Sequence, residues 1–335
     1  MKGQHGLKSY PLHLAGFSLV ELMVALTLSL VLMGAIAQSF ISSKQSHKMR
    51  EQVALLTENG RYATESLQRD IRMAGYSGCR TLDSLQPNIT ANSPPDFSTS
   101  NDSLQGFESG AGWTNPTSNT YLAGTDVITI NRAAGQGVQL TGNMGTTDAN
   151  IQLGSNPYGF QAGDVLLITD CESADLFRAS SVAQTASSVI TIAHTSTTNT
   201  DNNLSSLYQD DATITKFSSN TYFVGTNING GTSLYMVPFE SDGAIELVPN
   251  VQDLQLQYSI DTNNDQIADD YVDASSVTNW REVIGVNIGL LQYTSDNIVV
   301  EPQAFVFKGA NVNPSSDHRL RNSYWMTVGL RNRLN

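Results

Sequence analysis

Hydrophobic positions follow three successive patterns along the chain. Residues 22–43 carry no charge and are rich in Leu, Val, Met and Ala. Apolar side chains then recur at steps of three and four as far as residue 74, and short alternating apolar and polar runs follow. These patterns predict a helix of membrane length, its amphipathic continuation and a β-rich domain.

The uncharged run is long enough to cross a bilayer, because ~1.5 Å per residue spans the ~30 Å hydrocarbon core. Lys2 and Lys8 precede it, so the positive-inside bias predicts a cytoplasmic N-terminus and an extracytoplasmic remainder. A secretory signal is cleaved after its apolar run, whereas here the small residues Ala15 and Gly16 stand before it. We therefore expect the apolar helix to remain in the mature protein.

The periodic apolar positions beyond the membrane run form one stripe, which consists of Val53, Leu56, Gly60, Ala63, Leu67, Ile71 and Ala74. The spacing predicts a single helix over residues 17–74 whose stripe packs on the following domain. The predicted organisation is a leader at 1–16, a membrane half of the helix at 17–43, an amphipathic half at 44–75 and a β-rich domain at 76–335. The fold class is thus α+β.

Short alternating runs predict nine strands, at residues 126–130, 164–169, 188–193, 212–217, 221–228, 232–239, 253–260, 283–293 and 324–330. The Asn229-Gly230-Gly231 segment predicts a tight hairpin. Alternation over 283–293 predicts one buried face under the long helix. Residues 84–120, rich in Ser, Asn, Pro and Gly, are predicted to be a surface loop with little regular structure.

Charge limits the partners of the predicted domain. After residue 74 the chain holds 26 acidic and 10 basic side chains. Such a surface repels a phosphate backbone, so we expect no nucleic-acid partner. The only cysteines, Cys79 and Cys171, suit one disulfide or two buried thiols and exclude a four-cysteine zinc site.

Glu21 is the one acid near the start of the apolar run. An ionised carboxylate inside lipid costs ~2.5 to 3.5 kcal/mol or more unless it is paired. Cleavage between Gly16 and Phe17 would create an α-amino group four residues away, on the same chain or on a neighbouring subunit. That group would supply the missing positive charge.

Residues 16–22, GFSLVEL, resemble the type IV prepilin signature. The resemblance implies cleavage after Gly16 by prepilin peptidase, methylation of the Phe17 amine and a role for Glu21 in assembly. It also implies a type IV pilin-like fold, in which the long N-terminal helix packs on a β-rich globular domain.

Several dispersed segments are similar to the PilW-type minor pilins, namely residues 70–79, 163–171, 319–321 and 327–333. In that family the cysteines equivalent to Cys79 and Cys171 would pair. Residues 246–258 resemble a block shared with J-type minor pseudopilins of type II secretion.

The resemblance implies a minor pilin that joins other minor pilins in an inner-membrane priming complex, supports assembly of the major pilin and enters the fibre near its tip. The expected location is the inner membrane, single-pass, with a periplasmic domain. Two alternatives stay open: a J-type pseudopilin, and a calcium-dependent adhesin carried on a pilin anchor.

Residues 261–270, DTNNDQIADD, place oxygen-bearing side chains at Asp261, Asn263, Asp265 and Asp269, in the alternating pattern of calcium loops. Gln266 stands where an EF-hand has its turn glycine, and Val272 replaces the bidentate acid. The hypothesis is a weak Ca²⁺ site, and the alternative is a solvated acidic turn.

No enzyme motif emerges from the sequence. The five histidines are scattered, and neither a phosphate loop nor a Gly-x-Ser-x-Gly elbow occurs. We therefore expect a protein that is not an enzyme and requires no cofactor, with calcium as the one candidate.

Overall fold

The computed structural model describes residues 16, 18–95, 103–184, 189–239, 241, 243–312 and 317–334. The chain divides into two units, Met1–Gln52 and Val53–Asn335. An N-terminal apolar helix and a β-rich C-terminal domain make up the α+β architecture that the sequence predicts.

Helix α1 covers Leu19–Arg72. It ends two residues before the predicted limit, because Met73 and Ala74 form turns closed by the Asp70 and Ile71 carbonyls. A left-handed Gly75 follows, with φ of 74°. A short helix α2 spans Leu82–Leu85, and its N-cap is Thr81.

The described strands are, in chain order, β1 Asn88–Ile89, β2 Leu104–Phe107, β3 Val127–Gln139, β4 Ile151–Leu153, β5 Val165–Thr169, β6 Ala174–Arg178, β7 Ser181–Gln184, β8 Ile190–Ala193, β9 Thr213–Thr226, β10 Thr232–Pro238, β11 Ile245–Pro249, β12 Val251–Ile260, β13 Asp270–Val272, β14 Val283–Tyr293, β15 Phe305–Phe307, β16 Ala310–Val312 and β17 Arg321–Gly329.

Within the described residues, two sheets dominate the Val53–Asn335 unit. One has eight strands, in which β1, β6, β5, β9, β10 and β11 lie in that order while β3 pairs with β9 and β2 pairs with β3. The other has four strands in the order β13, β12, β14 and β17. Smaller sheets join β4, β8 and β7, and β15 with β16.

The principal core lies where the last turns of α1 meet both large sheets. Ala63, Leu67 and Ile71 of the helix are fully buried there. They share one cluster with β9, β10, β12 and β14, including Val286, Ile288 and Leu290. The buried face of 283–293 under the helix is thereby confirmed. The stripe begins at Leu56, however, because Val53 is exposed.

Two predictions for the β-rich domain are wrong. Residues predicted as two strands, 212–217 and 221–228, form the single strand β9, since β3 pairs with all of residues 218–220 and β10 joins on the other side from Asn220 onward. The described parts of residues 84–120 are not a loop with little regular structure: β1 and β2 lie within them, and Leu104 is fully buried. Pairing with β6 and β3 supplies the order that local composition does not indicate.

The hairpin at 229–231 is confirmed. It joins β9 to β10, and Gly230 adopts the left-handed φ of 75°. The Asn227 side-chain oxygen accepts hydrogen bonds from the Asn229 and Gly231 amides at 3.1 and 3.0 Å. The asparagine thus holds the turn from within.

Candidate functional site

The predicted cleavage position lies at the start of α1. Gly16 is exposed, and Phe17 falls outside the described residues. The Ser18 hydroxyl accepts a hydrogen bond from the Glu21 amide at 3.3 Å, and the Glu21 carboxylate accepts one from the Ser18 amide at 3.0 Å. Ser18 is the N-cap residue of the helix and Glu21 its third residue, so this reciprocal pair is a capping box.

The capping box gives Glu21 a local role in addition to the predicted role in assembly. The Ser-x-x-Glu signal was present in the sequence and would have revealed it. A carboxylate at this position also interacts favourably with the positive end of the helix dipole. Glu21 therefore has an intrachain partner besides the α-amino group that cleavage at Phe17 would release.

The first part of α1 presents an extensive apolar surface. Its large side chains from Leu19 to Ile41 are each more than half exposed. Its most apolar window of 18 residues has a mean hydropathy of 2.3 and no buried residue. Among the described residues this is the one helix long and apolar enough to cross a membrane. A surface of this kind requires lipid or protein to cover it.

The second part of α1 approaches the four-stranded sheet closely at Gly60. The Tyr324 ring of β17 lies over it, so a Cβ at Gly60 would stand 2.1 Å from the ring. The Tyr324 hydroxyl donates a hydrogen bond to the Leu56 carbonyl at 3.1 Å. A side chain at residue 60 would therefore displace the Tyr324 ring and disturb its hydrogen bond to Leu56.

Asp70 anchors the end of α1 to the eight-stranded sheet. Its carboxylate accepts hydrogen bonds from Tyr222 at 2.6 Å, from Asn220 at 2.9 Å and from Arg132 at 3.2 Å. Burial, followed by the Asp70 charge, raises the pKa of the Tyr222 hydroxyl, which therefore stays protonated and donates. Three donors thus satisfy a carboxylate that is 4% exposed.

A disulfide joins Cys79 to Cys171, as the family resemblance implied. Cys79 follows the end of α1, and Cys171 lies in the turn between β5 and β6 with a left-handed φ of 72°. The Cys171 amide donates to the Thr169 hydroxyl at 3.0 Å. The bridge fixes the segment after the helix to the β5–β6 turn of the eight-stranded sheet.

Near the C-terminus, Arg333 forms a buried ion pair with Asp83 of α2. Arg333 donates two hydrogen bonds to one Asp83 oxygen, at 2.9 and 2.7 Å, and two more to the carbonyls of Trp280 and Val283. The second Asp83 oxygen accepts from the Ser103 amide at 2.8 Å. We call this ion pair with its three backbone partners the C-terminal clamp. The clamp has no local sequence signal, since 250 residues separate Asp83 from Arg333.

In the candidate calcium turn, Asp261 binds backbone amides. Its two oxygens accept hydrogen bonds from Asn264 and Gln266 at 2.7 and 2.8 Å, and more weakly from Asp265 at 3.3 Å. Asn264 and Gln266 are left-handed, with φ of 62° and 67°. Gln266 thus adopts the conformation that the glycine of an EF-hand would take.

Two further carboxylates of the predicted site accept hydrogen bonds within the turn: Asp265 accepts one from the Ile267 amide at 2.9 Å, and Asp269 accepts several. Asp269 accepts hydrogen bonds from the Thr262 hydroxyl and amide at 2.6 and 2.8 Å, which lower its pKa. Asn263 donates to it at 3.3 Å. Within the described part of the chain no group of three His, Cys, Asp or Glu residues is arranged to hold a metal. A calcium ion bound by Asp261 would have to displace the backbone amides that donate to its carboxylate. Calcium binding at this turn stays a prediction.

Comparison with known proteins found one family. The model of PilW, Type IV Pilus-assembly protein W, matches residues 221–332. The match runs from within β9 through the four-stranded sheet to Asn332, whose side chain donates to the Ala74 carbonyl at 3.0 Å. No curated protein and no solved structure matches the chain. The PilW match indicates a type IV pilus-associated protein with a role in pilus assembly.

Proposed function

We propose that this chain is a minor pilin that promotes type IV pilus assembly. The observation that carries the proposal is the PilW match in a chain whose N-terminus has the prepilin pattern at Gly16, Phe17 and Glu21. The pilus-assembly family favours this role over a type II secretion pseudopilin, although residues 246–258 resemble both.

In the proposed mechanism, prepilin peptidase cuts after Gly16 and leaves a methylated amine on Phe17. The apolar part of α1 anchors the chain in the inner membrane and places the β-rich domain in the periplasm. The same exposed apolar surface then packs on the helices of other minor pilins in a priming complex. The major pilin extends that complex, which leaves this chain near the fibre tip.

Glu21 supplies register in this assembly. Its carboxylate lies next to the Ser18 amide, and the Phe17 amine of an adjoining subunit is its proposed counter-charge. An unpaired charge in an apolar bundle is costly, so subunits would be held where the two charges meet. Register is the best-attested use of a buried ion pair.

The test is mass spectrometry of the chain isolated from membranes, together with identification of the proteins that co-purify with it. We expect an N-terminal peptide that begins at methylated Phe17 and co-purification of the other minor pilins. A chain that begins at Met1, or after the apolar run, would contradict the prepilin reading. Recovery of type II secretion components in place of pilins would identify a pseudopilin.

A further inference from the structure

A cleft of about 590 Å³ opens on the face of the eight-stranded sheet that lies opposite the helix-packed core. On β9, Tyr222 and Val224 point into that core, while Ser219 and Thr221 line the cleft. On β2, Leu104 belongs to the core and Gln105 lines the cleft. The volume lies within the range of about 300–1,000 Å³ typical of ligand pockets.

The walls of the cleft are aromatic and pre-ordered. Trp113 stands in the loop after β2, half-buried, with its ring centroid 5.1 Å from Phe223 and 5.8 Å from Tyr121. Phe107 and Phe239 line other parts of the wall. Packing from behind holds the Trp113 ring in place before any ligand arrives, which limits the entropy lost on binding.

The floor of the cleft is polar but uncharged. Ser219 is 6% exposed, and no described residue hydrogen-bonds its hydroxyl. The Gln105 carboxamide likewise has no hydrogen-bond partner among the described residues, while the Thr221 hydroxyl pairs with Thr129 at 2.8 Å. The Ser219 hydroxyl and the Gln105 carboxamide are therefore open to the cleft and can donate or accept hydrogen bonds to a ligand there.

The charge of the cleft lining and of the surrounding domain limits the class of ligand that the cleft can bind. None of the described residues lining the cleft is ionisable, although the chain beyond residue 74 has 26 acidic and 10 basic side chains. An anion would be repelled by the acidic domain, and a cation would find no carboxylate among the described residues that line the cleft. A wholly apolar ligand would leave Ser219 and Gln105 unpaired, which strongly disfavours binding.

A sugar ring meets all of these conditions. Its C–H face stacks on an aromatic side chain, and its neutral hydroxyls both donate and accept hydrogen bonds, as Ser219, Thr221 and Gln105 do. We propose that this cleft binds a neutral saccharide, with Trp113 as the stacking platform and Ser219 and Gln105 as hydrogen-bonding partners. This activity is additional to pilus assembly and does not depend on it.

The experiment uses the full chain in lipid nanodiscs, because glycoside detergents would themselves compete for the cleft. Binding of neutral oligosaccharides is measured by saturation-transfer NMR and tryptophan fluorescence, with triacetylchitotriose, cellotriose and maltotriose as probes. Sialyllactose serves as the anionic comparison and a proline-rich decapeptide as the alternative occupant.

We expect at least one neutral probe to bind, with affinity reduced at least tenfold by Trp113→Ala and at least threefold by Gln105→Leu. Gln105→Leu preserves side-chain size on β2 and tests the cleft if Trp113→Ala disturbs the loop. The matched control is Trp325→Ala, since Trp325 is 50% exposed on β17 of the other sheet. It should leave affinity unchanged.

Three outcomes would overturn the proposal. They are no binding of any neutral probe at millimolar concentration, binding that neither cleft variant weakens, and binding of the proline-rich peptide in the cleft in place of the saccharides.

Discussion

Removal of the C-terminal clamp should measurably destabilise the domain. Arg333 and Asp83 side chains are only 7% and 8% exposed. Arg333→Ala would leave the Asp83 carboxylate with the Ser103 amide as its remaining partner in the clamp. Removing one member of a buried ion pair typically costs about 3–5 kcal/mol, because the other charge stays buried and uncompensated.

This cost converts into a clear change in melting temperature. Domains of about 150–250 residues lose roughly 2–4 °C per kcal/mol, and larger ones shift less, so the lower value gives a fall of about 6–10 °C. The assay is thermal unfolding of the full chain in nanodiscs, followed by far-ultraviolet circular dichroism of the β-rich domain.

Two further variants separate the ion pair from general effects of mutation near the C-terminus. Arg331→Ala removes a neighbouring exposed arginine and should stay within about 0.5 kcal/mol of the unmodified chain. Asp83→Asn in the Arg333→Ala background removes the stranded charge and should recover part of the loss. Equal melting temperatures for Arg333→Ala and Arg331→Ala would refute this account of the clamp.

Three other predictions test the role of Glu21 in the membrane helix, the Cys79–Cys171 disulfide and the candidate calcium turn at residues 261–270. Glu21→Ala should reduce pilus number, and Glu21→Gln should do the same although it retains a capping side chain; normal piliation with Glu21→Gln would show that the cap matters and the charge does not. Replacing Cys79 and Cys171 by serine should lower the unfolding free energy by up to ~4.7 kcal/mol on the chain-entropy model, and two free thiols in labelled periplasmic material would disprove the bridge. Calcium at ~100 times its dissociation constant should stabilise the domain by ~2.7 kcal/mol, and Asp265→Ala should abolish this effect. If the melting curve is the same in chelator and in millimolar calcium, residues 261–270 are an ordinary acidic turn.

The elements that sequence predicted well are those in which one local pattern decides the structure. β14 alternates Val286, Ile288 and Leu290 with small or polar residues, and the predicted and observed limits coincide. The apolar helix could also be predicted from its local pattern, because 22 uncharged residues have few alternatives to a helix in a membrane. Its end differs by two residues, at the turn before Gly75.

Elements that depend on distant partners could not be predicted in this way. Ser218, Ser219 and Asn220 favour a turn locally, yet pairing with β3 keeps all three in β9. Leu104 and Phe107 stand in a polar stretch with no clear alternation, and pairing with β3 determines that they form a strand. Non-local hydrogen bonds outweigh local propensity in both cases.

The candidate sites also differ in whether a local sequence pattern or a long-range contact forms them. The Ser18–Glu21 capping box has a local signature and was available from sequence. The C-terminal clamp and the neutral cleft have none, because each joins segments more than 100 residues apart. The cleft is also characterised by the absence of ionisable side chains among its described lining residues. This absence can be recognised only once the folded structure shows which residues line the cleft.

Pilus yield in a strain that lacks only this chain is the most direct test of the proposed function. Surface pili would be sheared from the cells and the major pilin quantified, with the intact gene and the Glu21→Ala variant supplied in trans. The account predicts few pili in the deletion strain, restoration by the intact chain and no restoration by Glu21→Ala. Normal pilus yield in the deletion strain, with loss of type II protein secretion, would contradict it.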